Sequence, residues 1–188
     1  MEGTLHSNIS EMVALGWINL NDNQFSGISS GIGLLPNLYS LELNNNSITN
    51  LGNAFDNVST SLQHIYLDNN QIGNIPSDIA NVENLNTLSM NYNNLTGIPE
   101  EIFELDDIQN LNFQENSITS LPDIDLGDLP YLNNLRLENN SLTSLPEGIC
   151  NLPNSAYITV GNNQLCPEAE YNYDNYECID SFGNQDCD

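Results

Sequence analysis

Few residues in this chain have the type and spacing for reactive chemistry, and they point to cross-linking and recognition. All four cysteines, Cys150, Cys166, Cys178 and Cys187, fall in the last fifth of the 188 residues. An even count gathered at one end reads as disulfide staples made in an oxidising compartment. Zinc is the weaker reading, since no C-x-x-C pair occurs and neither His6 nor His64 is close in sequence. Four cysteines allow three pairings, and sequence does not choose among them. The D-I-D-L-G-D run at 123–128 hints at calcium but lacks EF-hand spacing and its later glutamate, which favours a polar loop. No catalytic constellation appears. His64 has no thiol nearby, its serine neighbours lack a nucleophile's turn, and the pairs Glu100/Glu101 and Asp106/Asp107 read as solvated turns with no pocket implied. The chain is therefore expected not to be an enzyme and to carry no cofactor and no metal.

Charge narrows the partners. Twenty-six acidic residues face a single basic one, Arg136, for a formal charge of −25. Nucleic acid and anionic lipid bind through lysine and arginine contacts to phosphate, so both are poor candidates. A cationic partner, a neutral glycan or a metal ion is compatible with this balance, as is simple adaptation to a salty medium, where screening makes like charge tolerable. No apolar run approaches the 18 residues of a membrane span, so no membrane insertion is expected.

The elements that position these residues come from a repeat. Asn23, Asn46, Asn70, Asn93, Asn116, Asn140 and Asn163 recur at steps of 23 or 24, each inside L-x-x-L-x-L-x-x-N-x-L. Leu38/Leu41/Leu43/Asn46/Ile48 is one unit and Leu85/Leu88/Met90/Asn93/Leu95 another. The last unit, Ser155/Ile158/Val160/Asn163/Leu165, has lost its first apolar position to serine. The L-x-L core alternates with the period of a strand. The Asn falls where the strand must turn, and its amide can satisfy turn backbone groups that would otherwise be buried unpaired. A second apolar set, such as Ile75, Ile79 and Val82, has the spacing of a short helix or 3₁₀ turn. Pro76, Pro99, Pro122 and Pro146 open that segment, where a missing N–H is tolerated.

This pattern resembles the leucine-rich repeat family across residues 5–165. The resemblance implies an α/β solenoid, a horseshoe arc with a parallel sheet on its concave face and short helical or 3₁₀ turns on its convex face. Residues 1–165 form the repeats, with a partial unit over 1–14 and about seven units after it. Residues 166–188 are expected to form a terminal cap, similar to the cysteine-bearing C-terminal caps of secreted members and covered by Tyr171, Tyr173, Tyr176 and Phe182. Leu5, Ile9, Met12 and Leu15 stand 23 residues before Ile28, Ile32, Leu35 and Leu38, so the chain opens in the back half of a repeat. With no signal-like h-region before it, that opening suggests a C-terminal piece of a longer secreted protein, or a gene model that starts late.

Register then names the recognition residues. The outward positions of each strand line the concave face, the usual ligand side of a solenoid. They place Trp17, His64, Tyr66 and Tyr92 in the N-terminal half, among Glu42 and Asp68, and Arg136 with Glu138 further on. Aromatic faces beside amides and carboxylates suit an extended peptide or a sugar ring, and Trp and Tyr are common interface anchors. Large side chains filling the space between strands are the structural alternative. Arg136 is expected to form a surface salt bridge with Glu115 or Glu138, with a role as anchor for a ligand carboxylate as the sharper reading. Sequons stand at Asn8, Asn45, Asn57, Asn94 and Asn139, and matter only in a eukaryotic secretory pathway. The reading is a secreted or cell-surface module that binds a protein, peptide or glycan ligand on its concave face. The alternative is a structural or adhesive segment with no dedicated ligand, associated with calcium.

Overall fold

The computed structural model describes residues 1–58, 61–123, 126, 129–153, 155–166 and 177–187. Seven strands of three residues each follow the repeat: β2 (Trp17–Asn19), β4 (Ser40–Glu42), β5 (His64–Tyr66), β6 (Thr87–Ser89), β7 (Asn110–Asn112), β8 (Asn134–Arg136) and β9 (Tyr157–Thr159). They form one parallel sheet in sequence order. Every pairing is in phase, so that Ile18, Leu41, Ile65, Leu88, Leu111, Leu135 and Ile158 stand side by side. A shorter ribbon, β1 (Glu2–Thr4) with β3 (Gln24–Gly27), is also parallel.

Behind β2, β5, β6 and β8 the chain returns through a short 3₁₀ helix, Ser30–Ile32, Ser77–Asn81, Glu100–Glu104 and Glu147–Asn151, and behind β4 through turns over 52–57. Pro76, Pro99 and Pro146 sit as the N-cap residue, one place ahead of the helix, with extended ψ near 150°. Their fixed φ suits that place, and they bias the preceding Ile75, Ile98 and Leu145 to extended backbone. Pro122 precedes a bend at Asp123, and most of the stretch after it, Ile124, Asp125, Gly127 and Asp128, lies outside the described residues, as does most of the calcium-like run.

The core is a single file of apolar side chains between sheet and helices. Leu41 and Ile65 from the strands, and Leu43, Leu67, Phe113 and Leu137 from the residue just after each strand, meet Leu51, Phe55, Ile79, Ile102 and Ile149 from behind, all nearly or completely buried. No unit encloses its own apolar face, so stacking supplies the burial and the solenoid holds together as a whole.

At the far end the coil pattern continues past residue 165. Thr159 bridges Ser181 and Asn163 bridges Gln185. Val160 N–H donates to Ser181 O at 2.9 Å, and Leu165 N–H donates to Gln185 Oε1 at 3.0 Å. Segment 180–187 is thus laid on β9 as an abbreviated further coil. Two disulfides hold it, Cys150–Cys178 and Cys166–Cys187. Tyr171, Tyr173 and Tyr176 lie outside the described residues; Phe182 packs against the core.

Candidate recognition surface

Two ladders of side chains fix the concave face. The first is the asparagine column. Asn93 Oδ1 accepts from Ile72 N–H at 3.0 Å, while its Nδ2 donates to Met90 O at 3.2 Å and to Leu67 O of the preceding unit at 2.9 Å. The same bonds recur at Asn46, Asn70, Asn116, Asn140 and Asn163. Asn23, at the first turn, accepts from the Met1 amino group instead. Each amide therefore ties two coils together and satisfies buried backbone groups that no strand bond reaches.

The second ladder lies three positions after the middle leucine of each strand. Asn21 Oδ1 accepts from Asn44 N–H, Asn44 Oδ1 from Asp68 N–H and Asp68 Oδ1 from Asn91 N–H, all at 2.7 Å. Asn91 Oδ1 accepts from Gln114 N–H at 2.9 Å. Asp68 occupies an asparagine's place here. Burial pushes its carboxyl above the usual carboxylate range, partly offset by bonds from Ser89 and Asn91.

Most of the residues singled out for recognition stand on the strands ahead of the two ladders, in separate groups, with Tyr92 alone between the ladders. The indole N–H of Trp17 donates to Glu42 Oε1 at 2.7 Å, and Glu42 Oε2 accepts from Asn19 at 2.7 Å and Asn21 at 3.1 Å. The polar edge of the ring is thereby held while Trp17 stays 53 % exposed. His64 and Tyr66 stack, with ring centroids 6.4 Å apart and planes 17° from parallel. His64 Nδ1 is buried with no hydrogen-bond partner. Tyr92, 55 % exposed, projects from the turn after β6. Among the described residues no ring contact joins Trp17, Tyr66 and Tyr92, which are spread over the face in the order β2, β5, β6.

Arg136 departs from expectation. It is exposed, and among the described residues no carboxylate lies within the 4.0 Å of an ion pair. Its lateral neighbours are Asn112 and Thr159. Glu115 is carried past the strand end by a left-handed turn, and Glu138 turns Oε2 into the body, where it is buried without a partner. Glu138 and Thr159 repeat the places of Asp68 and Ser89. There the hydroxyl donates to the carboxylate at 2.8 Å, whereas Thr159 Oγ1, like Glu138 Oε2, is buried and unpartnered. Asp106 and Asp107 are both exposed, as a solvated turn requires, but Asp107 also lines a cleft with Gln63, Asn84, Asn86, Gln109 and Tyr131, where the sequence implies no pocket. Asp78, behind the sheet, has its carboxyl raised by burial and by the facing Asp56 carboxylate.

A family model described as leucine rich repeat matches residues 60–116 and 83–142. The chain is a leucine-rich repeat protein. Its fold is similar to that of a leucine-rich repeat protein of Leptospira interrogans, at 24 % identity and a TM-score of 0.74 over 95 % of this chain and 51 % of that one. It is also similar to the ectodomain of the Arabidopsis thaliana membrane receptor kinase GASSHO1/SCHENGEN3, solved with Casparian strip integrity factor 2, at 26 % identity and a TM-score of 0.75 over 87 % of this chain and 20 % of that one. A plant peptide hormone receptor, RGFR1, in complex with RGF2, matches at 26 % identity and a TM-score of 0.70, over 98 % of this chain and 34 % of that one. The chain thus spans about half of the bacterial protein and about a third or less of the plant receptors. No curated protein matches it by sequence.

Two features of these leucine-rich repeats escape the sequence reading. The second ladder was visible only as Asn, Asn, Asp, Asn at 21, 44, 68 and 91, residues that read as variable surface. The other is a column of left-handed residues, Asp22, Asn45, Asn69, Tyr92, Glu115, Asn139 and Asn162, all with φ between 54° and 59°. Asn and Asp tolerate that region, and their frequency one place before the ladder Asn was the available signal. Tyr92 and Glu115 adopt it without that help, forced by the turn on either side.

Proposed function

We propose that this chain is an extracellular binding module that takes a protein or peptide ligand across its concave face. The observation that carries the reading is Trp17. Its N–H is already satisfied by Glu42, so a partner that covers the ring leaves no orphaned donor. An exposed aromatic face whose polar edge is fixed is a preorganised anchor, and binding it costs little ordering entropy. The His64–Tyr66 stack supplies a second platform two strands away, a span suited to an extended segment lying across the strands. The plant receptors solved with Casparian strip integrity factor 2 and with RGF2 lend the peptide class support. The two disulfides favour an oxidising, extracellular or cell-surface setting.

The test is selection from a displayed peptide library on the native, disulfide-bonded chain. Affinities of the selected peptides are then measured on Trp17→Ala, Tyr66→Ala and, as a convex control, Glu100→Ala. Loss of an anchor ring is expected to weaken binding by about tenfold or more, the effect of 1.4 kcal/mol. Ligands whose affinity is the same on both concave variants would sink the proposal and favour a face that only presents area.

A further inference from the structure

We propose that the cleft beside Asp107 is a second binding site, on the rim of the solenoid rather than its concave face, and that it takes an uncharged saccharide. The cleft has a volume of about 360 Å³ and is lined by Gln63, Asn84, Asn86, Asp107, Gln109 and Tyr131. That size lies in the lower part of the range of small-molecule sites.

Gln63, Asn86 and Gln109 hold one place in three successive repeats, just before β5, β6 and β7. Their backbone is fixed from both sides. Gln63 O accepts from Asn86 N–H at 2.8 Å and Thr87 N–H at 3.0 Å, and Asn86 O accepts from Gln109 N–H and Asn110 N–H at the same two distances. The side-chain amides are therefore presented at the lateral spacing of strands, about 4.8 Å. Each amide can both donate and accept, with the Asn86 Oδ1 already accepting from Thr87 Oγ1–H at 3.1 Å.

The chemistry of the lining selects the ligand. Amides complement hydroxyl groups, which also donate and accept. Asp107 adds an acceptor for a further hydroxyl. Tyr131, 58 % exposed at the edge of the cleft, offers a bare ring face to the C–H face of a sugar. The lining contains no cation, and the chain's charge of −25 repels polyanions. An apolar ligand would find only the one ring. The regular step along the rim suits a polymer of like units better than a single compact molecule.

The experiment is titration of the disulfide-bonded chain with neutral hexasaccharides of glucose, of mannose and of N-acetylglucosamine, with oligogalacturonate as the acidic counterpart. Amide and side-chain NMR shifts report where each one binds. At least one neutral member is expected to shift the Gln63, Asn86 and Gln109 signals with a Kd below about 1 mM. Tyr131→Ala should weaken it about tenfold and Gln109→Ala several-fold, while Trp17→Ala on the concave face changes it less than about twofold. Tyr131 and Gln109 lie outside the buried core, and circular dichroism checks that each variant is folded. The proposal is overturned if no neutral saccharide perturbs the cleft at about 5 mM, if both cleft substitutions leave binding unchanged, or if oligogalacturonate binds as tightly as the neutral chains. A loss with Trp17→Ala alone would assign the sugar to the concave face instead.

Discussion

Asn93→Ala tests whether the asparagine column holds the coils together. Asn93 makes one bond that nothing else replaces, accepting from the buried Ile72 N–H at 3.0 Å. Its donations to Leu67 O and Met90 O are shared, because Asn70 Nδ2 and Asn116 Nδ2 also reach those oxygens, at 3.0 and 2.9 Å. The expected cost is thus one orphaned buried donor, about 1–3 kcal/mol, and two weakened acceptors at about 0.5 kcal/mol each, together about 3 kcal/mol. That is a large share of the 5–15 kcal/mol typical of a whole domain. Asn23→Ala is the control. Its partners are the Met1 amino group and carbonyls of the half-exposed first turn, which water can serve, so about 0.5–1 kcal/mol is expected. Asn93→Asp keeps the acceptor for Ile72 but sets a carboxylate against carbonyl oxygens. It should be worse than alanine at neutral pH and recover as the pH falls, when the acid becomes a donor. Urea denaturation, followed by far-UV circular dichroism and by the single tryptophan, measures all three. A solenoid can lose cooperativity, so the slope with denaturant must be compared as well as the midpoint. If Asn93→Ala and Asn23→Ala agree within about 0.5 kcal/mol at unchanged slope, the column is not what joins the coils.

Asp68→Asn should stabilise the fold at neutral pH, because burial raises the folded-state carboxyl pKa and the ionised form therefore weakens the fold. The wild type recovers that stability as the pH falls through the raised folded value, and it is fully present below the unfolded value, so the advantage of the amide variant should vanish in mild acid; denaturation midpoints at a series of pH values decide it, and a constant difference would refute the cause. Gly183→Ala should detach the terminal coil. Gly183 has φ of 54°, and a Cβ there would stand 2.9 Å from Gly161 Cα. The left-handed conformation alone costs alanine about 1–2 kcal/mol, and hydrogen exchange at Val160 and Leu165, whose amides are held by Ser181 and Gln185, should quicken while β5 and β6 stay protected.

The sheet was legible because its period is marked twice, by leucines at spacing two and three and by an asparagine that no strand position would otherwise favour. Once Asn46 and Asn70 are aligned, the partners of Ser40, Leu41 and Glu42 follow without further information. The terminal coil was not legible in the same way. Ser181, Phe182, Gly183 and Gln185 stand where Thr159, Val160, Gly161 and Asn163 stand one coil earlier, but glutamine replaces the marker and Asp180 replaces the first of the apolar pair, leaving Phe182 alone. The bridge from Asn163 and the hydrogen bonds to Val160 O and from Leu165 N–H show that Gln185 continues the column. The pairing Cys150–Cys178 and Cys166–Cys187 is likewise a matter of distance, with Cα separations of 5.4 and 5.6 Å, which no spacing rule could choose.

The second ladder changes which concave residues are free to recognise anything. Asn21, Asn44 and Asn91 look like ligand-facing amides in a sequence column, yet each has its oxygen engaged by the next coil's backbone. A substitution there removes a backbone partner and acts on stability before it acts on binding. Asp68 is bound in the same way, which moves it from the recognition set to the scaffold. Glu42 is similarly occupied, holding Trp17, Asn19 and Asn21. What remains with an uncommitted surface is the Trp17 ring, the stacked His64–Tyr66 pair, Tyr92 and Arg136. On the proposed reading of the concave face, specificity would rest on rings and one guanidinium, set in a frame of amides that are already spoken for. A variant that keeps both ladders and exchanges only those five side chains should retain the fold and lose the ligand, whereas Asn44→Ala should weaken both together.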